Sequence, residues 1–105
     1  MVVILFRSKL TDPADGYGDM AQEMLARARQ MPGFIDFKSY KADDGERMSI
    51  IRWQDHETLT AWRNDMRHQV AQKTGREKWY EYYKIEVADI VRESVFNRSS
   101  AAGGH

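Results

Sequence analysis

The sequence predicts an α+β domain with the element order β-α-β-β-α-β, the split-βαβ or ferredoxin-like arrangement. Three observations carry this expectation. Two segments place apolar residues at helical spacing, and four have the β-branched and aromatic content of strands. Asp44-Gly45 lies between two of the strand segments, where it signals a hairpin. The strands also fail to alternate cleanly between apolar and polar residues, so both faces of the sheet are expected to be covered.

Val2 to Lys9 reads as the first strand, and Thr11-Asp12-Pro13 stops it. Asp12 or Asp15 is expected to cap the first helix, with Pro13 at an early position where its missing N–H costs nothing. Tyr17, Met20, Ala21, Met24, Ala28 and Met31 recur at three and four, which makes them the helix's core face. Pro32-Gly33 ends it. Phe34 to Ala42 is the second strand and Met48 to Trp53 the third, flanking the Asp43-Asp44-Gly45-Glu46 turn. Asp55 is a natural N-cap for the second helix, which runs from about His56 to about Lys73. Its apolar stripe is Leu59, Trp62, Met66 and Val70, with a break expected near Asn64-Asp65. Gly75 marks an end or a kink. Trp79 to Phe96 reads as a long last strand, bending near Glu86 to Asp89. The domain therefore spans residues 1–96, and the Ser-, Ala- and Gly-rich residues 97–105 read as a disordered tail.

The 105 residues fit one domain. Sixteen basic and sixteen acidic side chains cancel, so no basic footprint points to nucleic acid. There is no cysteine, which suits a reducing, cytoplasmic setting. The apolar start is too short for a signal peptide or a membrane span, and is read as a strand.

The strand faces also predict a partner. Val3 and Leu5 oppose Val2, Ile4 and Phe6. Met48 and Ile50 oppose Ile51 and Trp53. Ile35 and Phe37 oppose Phe34 and Tyr40. Trp79, Tyr83, Ile85 and Val87 oppose Tyr80, Tyr82, Ala88 and Ile90. Two helices cover one face only. Each large side chain left in water forgoes roughly 1.5–3 kcal/mol, and a broad apolar patch marks an interface. A second copy is the simplest cover, which predicts a homodimer. Irregular cover by loops is the alternative.

Pro32-Gly33-Phe34 before a strand, Asp44-Gly45 in a hairpin, Trp53, Trp62 and His68, and Gly75-Arg76 leading into Trp79-Tyr80 resemble the antibiotic biosynthesis monooxygenase family. The likeness runs from Val2 to about Phe96. It implies a dimeric α/β barrel, in which two ferredoxin-like sheets face each other, and a cavity for a small molecule. Some members oxidise aromatic or quinol-type metabolites with O2 and no metal or flavin; others degrade haem. Haem degraders of this fold carry an Asn on the first strand, a Trp on the second helix and a His ten residues later. Here Trp62 matches, but Gln72 stands where the His would be, and the first strand has no Asn.

The resemblance thus implies a cofactor-independent monooxygenase acting on a small aromatic molecule and O2, with no membrane or nucleic-acid partner. A non-catalytic ligand-binding dimer, a haem-binding homologue and a dimer with a filled barrel are the competing expectations. His68 is the candidate base, since its usual pKa lies near neutrality; a helix-surface position, or a hydrogen bond to a backbone carbonyl, is its bland alternative. Asn64 is a candidate donor to a substrate carbonyl or oxyanion, or simply a helix breaker. Trp62 offers a flat wall for an aromatic ligand, or ordinary core. Tyr82, within the Tyr80, Tyr82 and Tyr83 cluster, and Arg7 on the first strand are candidate substrate contacts, against strand packing and a rim charge. No phosphate loop, nucleophile elbow or HExxH motif is present. His56 and His68 have no third ligand near them in sequence, so no metal is expected.

Overall fold

The computed structural model describes residues 1–98. The elements are β1 (Val2–Leu10), α1 (Tyr17–Arg29), β2 (Phe34–Lys41), β3 (Arg47–Trp53), α2 (His56–Arg63), α3 (Met66–Thr74), a π-helical turn over Gly75–Trp79, and β4 (Tyr80–Asp89). The four strands form one antiparallel sheet in the order β2-β3-β1-β4. This is the ferredoxin-like arrangement, with the second helical segment divided in two. The division falls at Asn64-Asp65, where the sequence placed a break. Most of the expected tail, residues 99–105, lies outside the described residues.

Opposed residues of an antiparallel pair share a face. Val2, Ile4, Phe6 and Ser8 therefore lie on one side with Trp53, Ile51, Ser49 and Arg47 of β3. This is the helix-covered side. Its core is Val2, Ala28, Trp53, Leu59 and Trp62, against which Ile4, Met24, Met31, Phe34 and Ile51 pack. The open side carries Val3, Leu5, Met48 and Ile50 on the central strands, ringed by Arg7, Arg52, Asp36, Lys38, Lys84 and Glu86. It is more polar at its edges than simple alternation suggests.

Two register shifts account for the difference. One in β2, between Phe34 and Asp36, puts Phe34 and Phe37 on the helix side. One opposite Lys9 and Leu10 puts Tyr80 and Tyr83 together on that side, whereas Tyr82, opposite Lys9, lies on the other. A bulge adds one residue to one strand, so every face read by twos changes beyond it.

Three local expectations change. Neither Asp12 nor Asp15 caps α1; its N-cap is Gly16, at φ +87°, with no side-chain cap. The last strand ends at Asp89 rather than Phe96. Asp89 is opposite Val2, and the Ile90 amide donates to the Met1 carbonyl at 3.1 Å, so β1 offers no further partner. Beyond it Val91 is 94% exposed. Met66 and Val70, expected in the core, are exposed, Met66 to 77%.

The caps explain that last change. Asp55 caps α2 through a reciprocal capping box with Thr58. Asp65 caps α3, its carboxylate accepting from the His68 amide at 3.1 Å. A helix with its own cap starts its own phase, so the stripe drawn across both helices does not survive the break. Two bidentate pairs fix α3 against α1: Arg27 on Asp65 at 2.8 and 3.0 Å, and Arg67 on Glu23 at 2.8 and 2.7 Å.

The turn into β2 is equally constrained. Gly33 sits at φ +83°, and its carbonyl accepts from the Gln54 amide at 2.7 Å. A Cβ there would run into the Thr58 side chain of the capping box.

Candidate functional site

Three rings form a column on the helix side of the sheet. Trp53, at the end of β3, is fully buried. Trp62 stacks on it at 5.9 Å and 27° between planes, and the His68 imidazole stacks on Trp62 at 4.4 Å and 17°. Phe34 meets Trp53 edge-on at 5.7 Å. Truncating a buried tryptophan costs about 3–5 kcal/mol, so Trp53 and Trp62 belong to the core whatever else they do. The Trp53 Nε1–H has no hydrogen-bond partner among the described residues, which is unusual for a buried donor.

The chemistry of His68 follows from one contact. Its Nδ1 lies 3.2 Å from the Trp62 carbonyl oxygen. A carbonyl only accepts, so Nδ1 carries the proton and Nε2 carries the lone pair. Burial pushes the imidazole below the usual histidine range; the Trp62 carbonyl and the Asp65 carboxylate pull the other way but are outweighed. The ring is therefore neutral at pH 7 and basic at Nε2. Of the two bland alternatives for His68, the helix-surface position does not hold, because the break in the helix turns it inward, whereas the contact with a backbone carbonyl is present.

Asn64 closes α2 as its C-cap residue and lines a cleft of about 470 Å3 with Arg63, Gln69, Gln72, Lys73 and Arg76. Gln72 lies one helical turn beyond His68. Arg7 and Tyr82 are elsewhere. Arg7 pairs with Glu46 at 2.9 Å, and it shares the open face with Tyr82. The sheet stands between these two and the Trp62–His68 column, so the five candidates do not share one chamber.

Sequence reasoning missed a second aromatic group on the helix side. Phe6 meets Tyr80 at 5.5 Å and Tyr83 at 5.6 Å, and Tyr17 meets Trp79 at 5.9 Å and Tyr80 at 5.8 Å. Burial, reinforced by Tyr17, raises the Tyr80 pKa far above the phenol range, so Tyr80 stays protonated. The Trp79 indole N–H donates to the Asp15 carbonyl at 2.8 Å, anchoring the π turn to the loop before α1. Nearby, Tyr17, Ser39, Tyr40, Lys41, Arg47 and Ser49 line a hollow of about 230 Å3. The signal was present in the tyrosine run, but only the bulge opposite Lys9 and Leu10 shows which two tyrosines join. Among the described residues no three His, Cys, Asp or Glu side chains group to hold a metal, and no helix is long and apolar enough to cross a membrane.

The sequence profile described as antibiotic biosynthesis monooxygenase matches residues 1–74. The chain belongs to the antibiotic biosynthesis monooxygenase family. A curated relative, the uncharacterised protein YqjZ of Bacillus subtilis, is 31% identical over 97 residues, covering 92% of this chain and 85% of its own length. Among solved structures, Rv0793 from Mycobacterium tuberculosis superposes with a TM-score of 0.78 at 17% identity, over 90% of this chain and 98% of its own. SnoaB, a cofactor-independent oxygenase from Streptomyces nogalater, superposes with a TM-score of 0.75 at 14% identity, over 90% and 95%. These structural likenesses establish the family's fold here. Of the residues that resembled the family in sequence, Pro32 to Trp53, Trp62 and His68 fall within the matched region, and Gly75-Arg76 and Trp79-Tyr80 lie beyond it.

Proposed function

We propose that this chain is a cofactor-independent monooxygenase that oxidises a small aromatic or quinol-type molecule with O2. The observation that supports it most is the His68 tautomer: Nδ1 held by the Trp62 carbonyl, Nε2 free of any partner among the described residues, and the ring kept neutral by burial. That is the state a general base needs. Trp62, with Trp53 on one face and His68 on the other, holds the imidazole in place, and Asn64, which lines the neighbouring cleft, is the donor to a substrate oxygen.

The chemistry balances without an added reductant. His68 takes the phenolic proton, and the electron-rich ring carbon then bonds to one oxygen of O2. In the resulting peroxide anion the ring hydrogen passes as a proton to the distal oxygen while the O–O bond breaks, and the ring carbon becomes a carbonyl. The distal oxygen leaves as hydroxide and takes the proton back from His68 as water. Phenol plus O2 gives quinone plus water, with all four electrons from the substrate. Aerobic and anaerobic incubation with a panel of phenols and quinols tests this; product that forms equally without O2 would sink it.

The acid side of the pH profile is a second check. Turnover should stay level through neutrality and fall only below about pH 6.5, the ordinary histidine value, because burial lowers the pKa of His68. The sign for stability is the same. The unfolded chain binds this proton more readily, so stability falls as pH drops from about 6.5 toward the folded-state pKa. Thermal melts of His68→Phe should lose that portion of the pH dependence.

The working unit in this proposal is a homodimer joined through the open sheet face, with Val3, Leu5, Met48 and Ile50 at its centre and Arg7 and Tyr82 in the contact. Sedimentation at low micromolar concentration should return the mass of two chains. A single-chain mass would leave Arg7 and Tyr82 as surface residues.

A further inference from the structure

The cleft beside the ring column has an unbalanced charge. The chain as a whole carries sixteen cations and sixteen anions, yet Arg63, Lys73 and Arg76 line one concavity of about 470 Å3 that no carboxylate lines. Two acids beside these helices, one at the α2–α3 joint and one on α1, are engaged elsewhere. Asp65 is held bidentately by Arg27 and Glu23 bidentately by Arg67, both through short contacts. Glu77, next to Arg76, is not part of the lining. Arg63 and Lys73 have no ion-pair partner among the described residues. Arg76 has only a long contact, 3.5 Å, to the Tyr83 hydroxyl, which leaves most of its planar fork free.

The remaining lining is three amides, Asn64, Gln69 and Gln72. Amides both donate and accept, so they suit the uncharged oxygens of a ligand rather than its anionic group. The volume lies in the range of small-molecule sites. Gln72 follows His68 by one helical turn, so the cleft continues the face of α3 that carries His68.

We infer that this cleft binds the oxyanion of a small organic acid, and that the molecule presented to His68 is anionic, carrying a carboxylate or a phosphate ester. The second half rests on the reading of His68 as the base; the first does not. Arg63, Lys73 and Arg76 hold the charged end, and the amides take its neutral oxygens. The aromatic end then lies toward His68.

Calorimetric titration of the intact protein tests the binding without reference to turnover. Salicylate, phenyl phosphate and the neutral salicylamide serve as probes. The expected result is at least tenfold tighter binding of one or both anions than of salicylamide, weakening as salt is raised. In the Arg63→Gln, Lys73→Gln, Arg76→Gln triple variant, and to a lesser degree in Lys73→Gln alone, that preference disappears while salicylamide binding is unchanged. The stronger of the two anions names the group. Equal binding of anion and neutral probe, or a preference that survives the substitutions, overturns the inference. Anion binding without O2-dependent turnover would keep the cleft assignment and sink the monooxygenase reading. Turnover of neutral quinols indifferent to the triple variant would keep the monooxygenase reading and overturn the claim that the molecule presented to His68 is anionic.

Discussion

Replacing His68 by alanine is expected to lower kcat/KM for O2-dependent oxidation by roughly 10²–10⁴, the usual range for losing a general base. The ring lies at the end of the Trp53–Trp62 column and contributes no buried tryptophan-sized volume, so the variant should remain folded by circular dichroism. Two readouts separate lost chemistry from lost packing. The acid limb of the profile should vanish with the imidazole, and His68→Gln should restore stability without restoring rate. A variant that melts like the parent and turns over substrate at the parent rate would show that His68 is a packing residue. Asp65→Asn offers a milder comparison. It keeps a cap on α3 but removes the charge that Arg27 grips, so it tests how far the placement of His68 depends on that pair.

Replacing Gly33 by alanine is expected to damage the fold about as much as truncating a buried tryptophan, although it adds only one methyl group. Two costs add. An L-residue at φ +83° pays about 1–2 kcal/mol for the left-handed backbone. The new methyl also collides with Thr58, and overpacking of that kind costs roughly 1–3 kcal/mol. The total, about 2–5 kcal/mol, corresponds to a fall in Tm of roughly 10–30 °C for a domain of this size. Gly45 is the control. Its φ is +91° but nothing lies within 4 Å of a Cβ there, so Gly45→Ala should show only the backbone part. Equal losses at the two positions would mean that Thr58 gives way freely and the steric account is wrong.

The sequence carried the element order, the Asp44-Gly45 hairpin, the Asp55 cap and the Asn64-Asp65 break, because each rests on local chemistry that tertiary packing had no reason to override. The features it hid are those set by counting. Alternation by twos placed Tyr80 with Tyr82 and Phe37 with Ile35. Each bulge adds one residue, and beyond it Tyr80 joins Tyr83 and Phe37 joins Phe34. Counting by helical turns put Met66 and Val70 in the core, and the second cap undid that too. Of the site, Trp62 and His68 were visible as residue types at a suggestive separation. Their contact was not, nor was the cleft, since it is formed by polar side chains that no apolar pattern marks.

The interval between Trp62 and His68 shows what the joint contributes. In one uninterrupted helix, six residues at 3.6 per turn would set the two side chains about 120° apart around the axis. They could not touch. Their face-to-face contact at 4.4 Å exists because two short helices meet at an angle. The spacer of Asn64 and Asp65 thus works as a ruler. Lengthening or shortening it by one residue would re-aim α3 and part His68 from Trp62, so the number of residues at that corner is under a constraint that no inventory of contacts would reveal.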